Sequence, residues 1–88
     1  PVVLETSLRV LPSSNAVRVL EYALPAATDV RITLYDLAGR RAAVLLAGAQ
    51  DEGVHRLNWN TTGLKQGMYY CRLQAAGVVL SRSVLILR

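Results

Sequence analysis

Apolar and polar side chains alternate along this chain in short stretches, separated by turn-forming residues. The clearest stretch, residues 29–37, places Val30, Ile32 and Leu34 on one side of an extended segment. Because side chains two positions apart share one face of a strand, this alternation predicts a β-strand with one buried face.

Seven stretches of this kind follow one another, and they predict seven strands. Their bounds are residues 7–11, 17–24, 29–37, 40–47, 54–60, 68–75 and 78–87. Pro25, Gly39 and Ala76-Gly77 stand at stops or turns between them. Short strands at roughly 8–12-residue spacing, with no convincing helix, are typical of a sandwich. We therefore expect an all-β protein, an Ig-like antiparallel β-sandwich of about seven strands.

Residues 40–47 depart from strict alternation. The run from Ala42 to Leu46 is continuously apolar and would suit a helical turn by propensity. Flanked by Gly39 and Gly48, it is too short to form a stable helix alone. We predict a strand here.

Two side chains that often carry chemistry fall on predicted core faces. His55 shares a face with Leu57 and Trp59, so we expect a semi-buried structural histidine bonded to a backbone group. Cys71 shares a face with Tyr69 and Leu73. We expect it to be a small core residue rather than a reactive thiol.

Length and composition narrow the function classes. The 88 residues suit one domain, and the longest uncharged runs are far shorter than the ~20 residues of a membrane-spanning helix. The net charge of +4 comes from basic residues scattered along the chain, which disfavours nucleic-acid binding. With one Cys, one His and no convergent acid–base set, we expect no enzyme, no cofactor and no metal site. The chain begins at Pro1 without a leader, so we expect residues 1–88 to be one domain of a longer polypeptide.

Three motifs and a basic residue occur in a specific order. They are Tyr35-Asp36-Leu37-Ala38-Gly39-Arg40, then Gly53-Val54-His55-Arg56-Leu57-Asn58-Trp59, then Gly67-Met68-Tyr69, and finally Arg82 before an apolar last strand. In order and spacing the chain resembles the C-terminal domain of cargo proteins of the type IX (Por) secretion system. It also resembles the related Ig-like domain of flagellar hook-capping proteins. It departs from the family at Pro12-Ser13-Ser14-Asn15, where Pro-Asn-Pro is frequent, and at Arg82, where lysine is usual.

The resemblance implies a C-terminal sorting and surface-attachment module of an exported protein, located at the cell surface or outside the cell. Its implied partners are the outer-membrane secretion and attachment machinery. The last strand would be read by strand addition, and it could also exchange between two copies to form a dimer. The implied sorting signal consists of Arg82, Ser83, Val84, Leu85, Ile86, Leu87 and Arg88.

Two other functions stay open from the sequence. One is a non-catalytic binding module for a polysaccharide or a neighbouring domain, and the other is a structural domain of a hook-cap type assembly. A binding module would use an outward patch of aromatic and basic residues, which also suits protein docking. The simpler explanation is cross-strand pairing in which arginine stems cover tyrosine rings. The patch consists of Tyr35, Tyr70, Arg31, Arg56 and Arg72.

Overall fold

The computed structural model describes residues 3–11 and 17–87. Pro12-Ser13-Ser14-Asn15 and Arg88 lie outside the described residues. Seven strands confirm the predicted all-β architecture, and most of their bounds agree with the alternation to within one residue. The strands are β1 (Ser7–Leu11), β2 (Val17–Leu24), β3 (Thr28–Asp36), β4 (Arg41–Gln50), β5 (Gly53–Asn60), β6 (Gly67–Ala75) and β7 (Val78–Ile86).

The strands form two antiparallel sheets packed as a sandwich. One sheet has the order β1-β2-β5, and the other has the order β4-β3-β6-β7. Neighbours β2 and β5, and likewise β3 and β6, are distant in sequence, so the chain crosses between the sheets in an Ig-like manner. In immunoglobulin constant domains the fourth strand belongs to the first sheet. Here β4 pairs with β3 instead, as the extra strand of variable domains does.

The core lies between the sheets and takes the apolar side of each predicted alternation. The fully buried side chains of β3, Ile32 and Leu34, belong to its centre. Among the described residues, the buried cluster consists of Leu8, Leu20, Tyr22, Leu24, Val30, Ile32, Leu34, Trp59, Tyr69, Cys71, Leu73, Ala75, Val84 and Ile86.

The register of β4 with β3 explains why the β4 sequence lacks strict alternation. Its register with β3 shifts twice, between Ile32 and Thr33 and between Leu34 and Tyr35. Each shift places an extra residue on β4, which is the arrangement of a β-bulge. The first bulge brings the adjacent Leu45 and Leu46 both against the core. A continuous apolar run is therefore compatible with a strand at this position.

The turn between β3 and β4, predicted at Gly39, is organised by Asp36. Its Oδ1 accepts hydrogen bonds from the backbone N–H groups of Ala38 and Arg40, both at 2.9 Å. Gly39 has a φ of 82°, a conformation that glycine adopts without steric cost. The Arg40 guanidinium also donates to Asp36 Oδ2 at 3.1 Å.

Tyr69 forms a contact that the sequence reading did not anticipate. Its ring is buried near the start of β6, and its hydroxyl donates to the Lys65 carbonyl at 2.7 Å. A tyrosine at this position, bonded to backbone a few residues upstream, is the tyrosine corner of Ig-like sandwiches. The bond holds the β5–β6 connection against the start of the strand.

Candidate docking site on the four-stranded sheet

Strand β7 lies at one edge of the four-stranded sheet. Its pairing with β6 runs from Ala75 opposite Val78 to Gly67 opposite Ile86. Within the described part of the chain, no strand pairs with its other edge. An edge strand presents backbone N–H and C=O groups that can accept another strand.

The proposed sorting segment divides between the core and the surface. Val84 and Ile86 are buried, whereas Ser83 and Leu85 are exposed on the opposite side of the strand. Leu87 follows the strand and is also exposed. The segment therefore contributes to the core and also presents side chains at the surface, while β1 of the other sheet lies close to β7.

Arg82 occupies an unexpected place in this strand. It lies opposite the fully buried Cys71, so its position is on the inward side of the sheet. Arg82 is nevertheless exposed, and its guanidinium donates to the Ser81 carbonyl at 2.8 Å. A charged residue on the inward side of an edge strand is a known device against unwanted strand pairing.

A second arginine reaches the same edge from the other sheet. The guanidinium of Arg18 on β2 donates to the Leu85 carbonyl at 3.4 Å. Both acceptor carbonyls, those of Ser81 and Leu85, thus point away from β6. In an antiparallel strand the N–H and C=O of one residue point to the same side, and this side alternates from one residue to the next. The N–H and C=O of Ser83, which lies between Ser81 and Leu85 at the same spacing, therefore also point away from β6. We call the backbone groups of Ser81, Ser83 and Leu85 the free edge of β7.

The surface of this sheet that faces away from β1, β2 and β5 is called the outer face. Tyr35 lies directly opposite Tyr70 across the β3–β6 pair, and Arg72 lies opposite Thr33. Arg31 is two positions from Thr33 on the same side of β3. Thr33 is only 2% exposed although it points outward, so neighbouring side chains cover it. Four of the five residues of the predicted patch therefore share one face.

Arg56 does not belong to this patch, and here the sequence prediction is corrected. It lies on β5, in the three-stranded sheet, and faces away from the tyrosines. Its Nε donates to Glu21 Oε2 at 3.3 Å, and Arg9 contacts Glu21 Oε1 at 2.7 Å. Alternation identifies the outward side of a strand but not the sheet to which the strand belongs.

His55 and Cys71 have the structural roles that the sequence predicts. The His55 ring stacks on Tyr22 with centroids 5.0 Å apart, and its Nε2 lies 2.7 Å from the Asp51 carbonyl oxygen. The Tyr22 hydroxyl in turn bonds Gln50 at 3.1 Å. Cys71 is fully buried, and burial raises the pKa of its thiol to about 12.

We expect the Cys71 thiol to resist alkylation in the folded protein. Its pKa of about 12 lowers the thiolate fraction at neutral pH, and core packing excludes the reagent. Relative to a free thiol near pH 8, iodoacetamide labelling should be slower by about a thousandfold or more. Mass spectrometry over time, with urea-unfolded protein as the control, measures this; rapid labelling of the folded protein would contradict the burial of Cys71.

Two carboxylates predict how stability responds to acid. Hydrogen bonds from the backbone N–H and the guanidinium of Arg40 lower the pKa of Asp36. Hydrogen bonds from the guanidinium groups of Arg9 and Arg56 lower the pKa of Glu21. A lowered pKa in the folded state stabilises the protein above the unfolded value of about 4. That contribution is lost as the pH falls through the folded value.

The melting temperature should therefore decline below about pH 4. Asp36→Asn should flatten this decline, because the asparagine oxygen keeps the turn but does not titrate. Asp29→Asn is the matched control, because Asp29 is exposed and its carboxylate has no hydrogen bond or ion pair among the described residues; it should flatten the decline less than Asp36→Asn does. Equal slopes for wild type and Asp36→Asn would contradict the role of Asp36.

The described residues hold few other features that suggest a ligand. An open hollow lies between the β2–β3 and β4–β5 connections, bordered by Asp29, Gln50 and Asp51. No group of three or more His, Cys, Asp or Glu in the described ranges is arranged to hold a metal ion. The described ranges contain no helix that is long and apolar enough to cross a membrane.

Comparison of the chain with protein-family models, curated proteins and solved structures finds no match. The function proposed below therefore depends on the sequence motifs and on the geometry of β7.

Proposed function

We propose that this domain is a sorting and attachment module of an exported protein, recognised at the free edge of β7 by outer-membrane machinery of the type IX kind. The observation that carries the proposal is the position of β7. It is an edge strand whose free edge includes Ser81, Ser83 and Leu85. Ser83 and Leu85 lie inside the segment that the family resemblance implies for sorting, and Ser81 immediately precedes it. Under this proposal the parent protein acts at the cell surface or outside the cell.

The motif residues support the proposal through their structural positions. Asp36 and Gly39 shape the β3–β4 turn, His55 joins two strands of the other sheet to a loop, and Tyr69 forms the tyrosine corner. Each of these contacts stabilises the sandwich that presents β7. Under this proposal the motif residues stabilise the sandwich, and the partner recognises β7.

Strand addition would proceed by main-chain hydrogen bonds to the free edge, with alternating side chains supplying selectivity. An incoming strand must first displace the Arg82 guanidinium from the Ser81 carbonyl and the Arg18 guanidinium from the Leu85 carbonyl. Exposed bonds of this kind contribute little net free energy because water competes for both groups. The two arginines thus disfavour nonspecific strand pairing, while a specific partner can still displace them.

Deleting the end of β7 is a poor test of this proposal. Removal of Val84 and Ile86 would open the core, so a loss of export could follow from unfolding alone. Ser83→Pro is sharper because it removes one N–H from the free edge and should keep the ladder to β6. Proline is tolerated in an edge strand when its nitrogen faces away from the neighbouring strand.

The experiment fuses residues 1–88 to a periplasmically exported reporter in a host that has a type IX system. Wild type and the matched control Ser83→Ala should both place the reporter at the surface, measured by protease accessibility on intact cells. Ser83→Pro should leave it in the periplasm, while circular dichroism of the purified domain shows that it still folds. The proposal fails if the wild type stays in the periplasm or if folded Ser83→Pro is exported as well as Ser83→Ala.

A further inference from the structure

Several exposed apolar side chains lie on the outer face of the four-stranded sheet. Val44, Tyr70, Val79 and Leu85 are each between 41% and 50% exposed, and Met68 is 38% exposed. They come from three strands of the sheet, and register places Met68 opposite Leu85. Single exposed apolar side chains are ordinary, whereas a group spread across one face indicates an interaction surface.

The charges on this face are basic and unpaired. Arg31 and Arg72 lie on it, and Arg41 joins them because it pairs with the outward Tyr35. Among the described residues, none of the three arginines has an ion pair or a side-chain hydrogen bond. In the part of the chain that the structure describes, the one acid on this face is Asp29, at the start of β3.

The opposite surface of the sandwich is organised differently. On the three-stranded sheet, Arg9 and Arg56 both contact Glu21, so the positive charges there are partly neutralised within the domain. Within residues 3–11 and 17–87, the outer face is the surface that combines unpaired guanidinium groups with exposed aliphatic and aromatic side chains. Tyrosine and arginine in such a setting are the residue types enriched at protein interfaces.

We propose that the outer face docks a partner protein through an acidic surface that also carries apolar side chains. The unpaired arginines are complementary to carboxylates, and burial of the aliphatic side chains is favourable only against apolar groups. A polysaccharide or a phosphate backbone would leave Val44, Val79 and Leu85 without apolar partners. A second copy of the chain would bring the same three arginines against their own kind. The proposal is independent of the sorting role, because it uses outward side chains instead of the free edge of β7.

The test selects binders from a random dodecapeptide library displayed on phage, using immobilised domain. Two double variants each remove two positive charges: Arg31→Gln with Arg72→Gln on the outer face, and Arg9→Gln with Arg56→Gln on the other sheet. A second pair removes apolar area, Tyr70→Ser on the outer face and Val54→Ser on the opposite surface. Circular dichroism establishes that each variant is folded. The charge variants and the apolar variants test the proposal separately, so one pair still decides if a control in the other pair unfolds.

Wild type and the control variants should select peptides that combine Asp or Glu with Leu, Tyr or Trp. A synthetic copy of such a peptide should bind the outer-face charge variant about tenfold more weakly than wild type. It should also bind more weakly at high salt, because the charges are exposed. Tyr70→Ser should weaken binding and Val54→Ser should not.

Several results would overturn the proposal. Selected peptides could lack acidic residues, or could bind the outer-face variants as tightly as wild type. Tighter binding of an array oligosaccharide than of the peptides, abolished by Tyr70→Ser, would identify a sugar as the occupant. Concentration-dependent dimers that the outer-face variants disrupt would identify a second copy.

Discussion

Replacing Ile32 by alanine is expected to lower the free energy of unfolding by about 3 kcal/mol, within the range measured for buried aliphatic side chains. Ile32 is fully buried on β3, which pairs with β4 on one side and β6 on the other. Truncation leaves a cavity that a strand held on both sides cannot close. A domain of this size has a total stability on the order of 5–10 kcal/mol, so the loss is a large share of it.

Urea unfolding followed through the fluorescence of Trp59, the single tryptophan, measures this loss. The unfolding midpoint should fall by about 2 M urea. Val79→Ala is the matched control, because Val79 lies on β7 and is 50% exposed; its cost should stay below about 1 kcal/mol. Similar losses for the two variants would contradict the assignment of Ile32 to the centre of the core.

Tyr69→Ala is expected to cost about 3–5 kcal/mol, because it removes a buried ring and the tyrosine corner together. Tyr69→Phe separates the two contributions. It keeps the ring and removes only the hydroxyl that donates to the Lys65 carbonyl, and it should cost about 1–2 kcal/mol. The hydroxyl matters because it fixes the β5–β6 connection, through which the chain crosses from one sheet to the other.

Tyr70→Phe provides the control for the hydroxyl. Tyr70 is the next residue along β6, it faces outward, and it is 41% exposed. Its substitution should change the free energy of unfolding by less than about 0.5 kcal/mol. If Tyr69→Phe proved as mild as Tyr70→Phe, the Tyr69 hydroxyl would not stabilise the corner.

Much of the fold can be predicted from local pattern. Residues 29–37 show why: the alternation of Val30, Ile32 and Leu34 with polar neighbours requires an extended chain with one buried face. The structure confirms that face, and it confirms the turn at Asp36 and Gly39. These features depend on residues close in sequence, so the sequence carries them directly.

The pairing of strands that are distant in sequence could not be predicted from local pattern. Arg56 and Arg72 both alternate outward, yet they lie on opposite sides of the sandwich because β5 pairs with β2 and β6 pairs with β3. Four residues of the outer face, Tyr35, Tyr70, Arg31 and Arg72, were predicted as part of an outward patch. Val44 and Val79 were missed, because they lie on strands far apart in the chain.

The last strand combines both kinds of information. The alternation and turns of the sequence by themselves determined that β7 exists and where it begins. The inward position of Val84 and Ile86 is visible only in the structure, because residues 84–87 are continuously apolar. Only the tertiary structure decided that β7 lies at an edge and that Arg18 and Arg82 bond its outward carbonyls. The physical reason is that the alternation of side chains is local to one strand. Which strand lies beside which depends on the packing of all seven around one core.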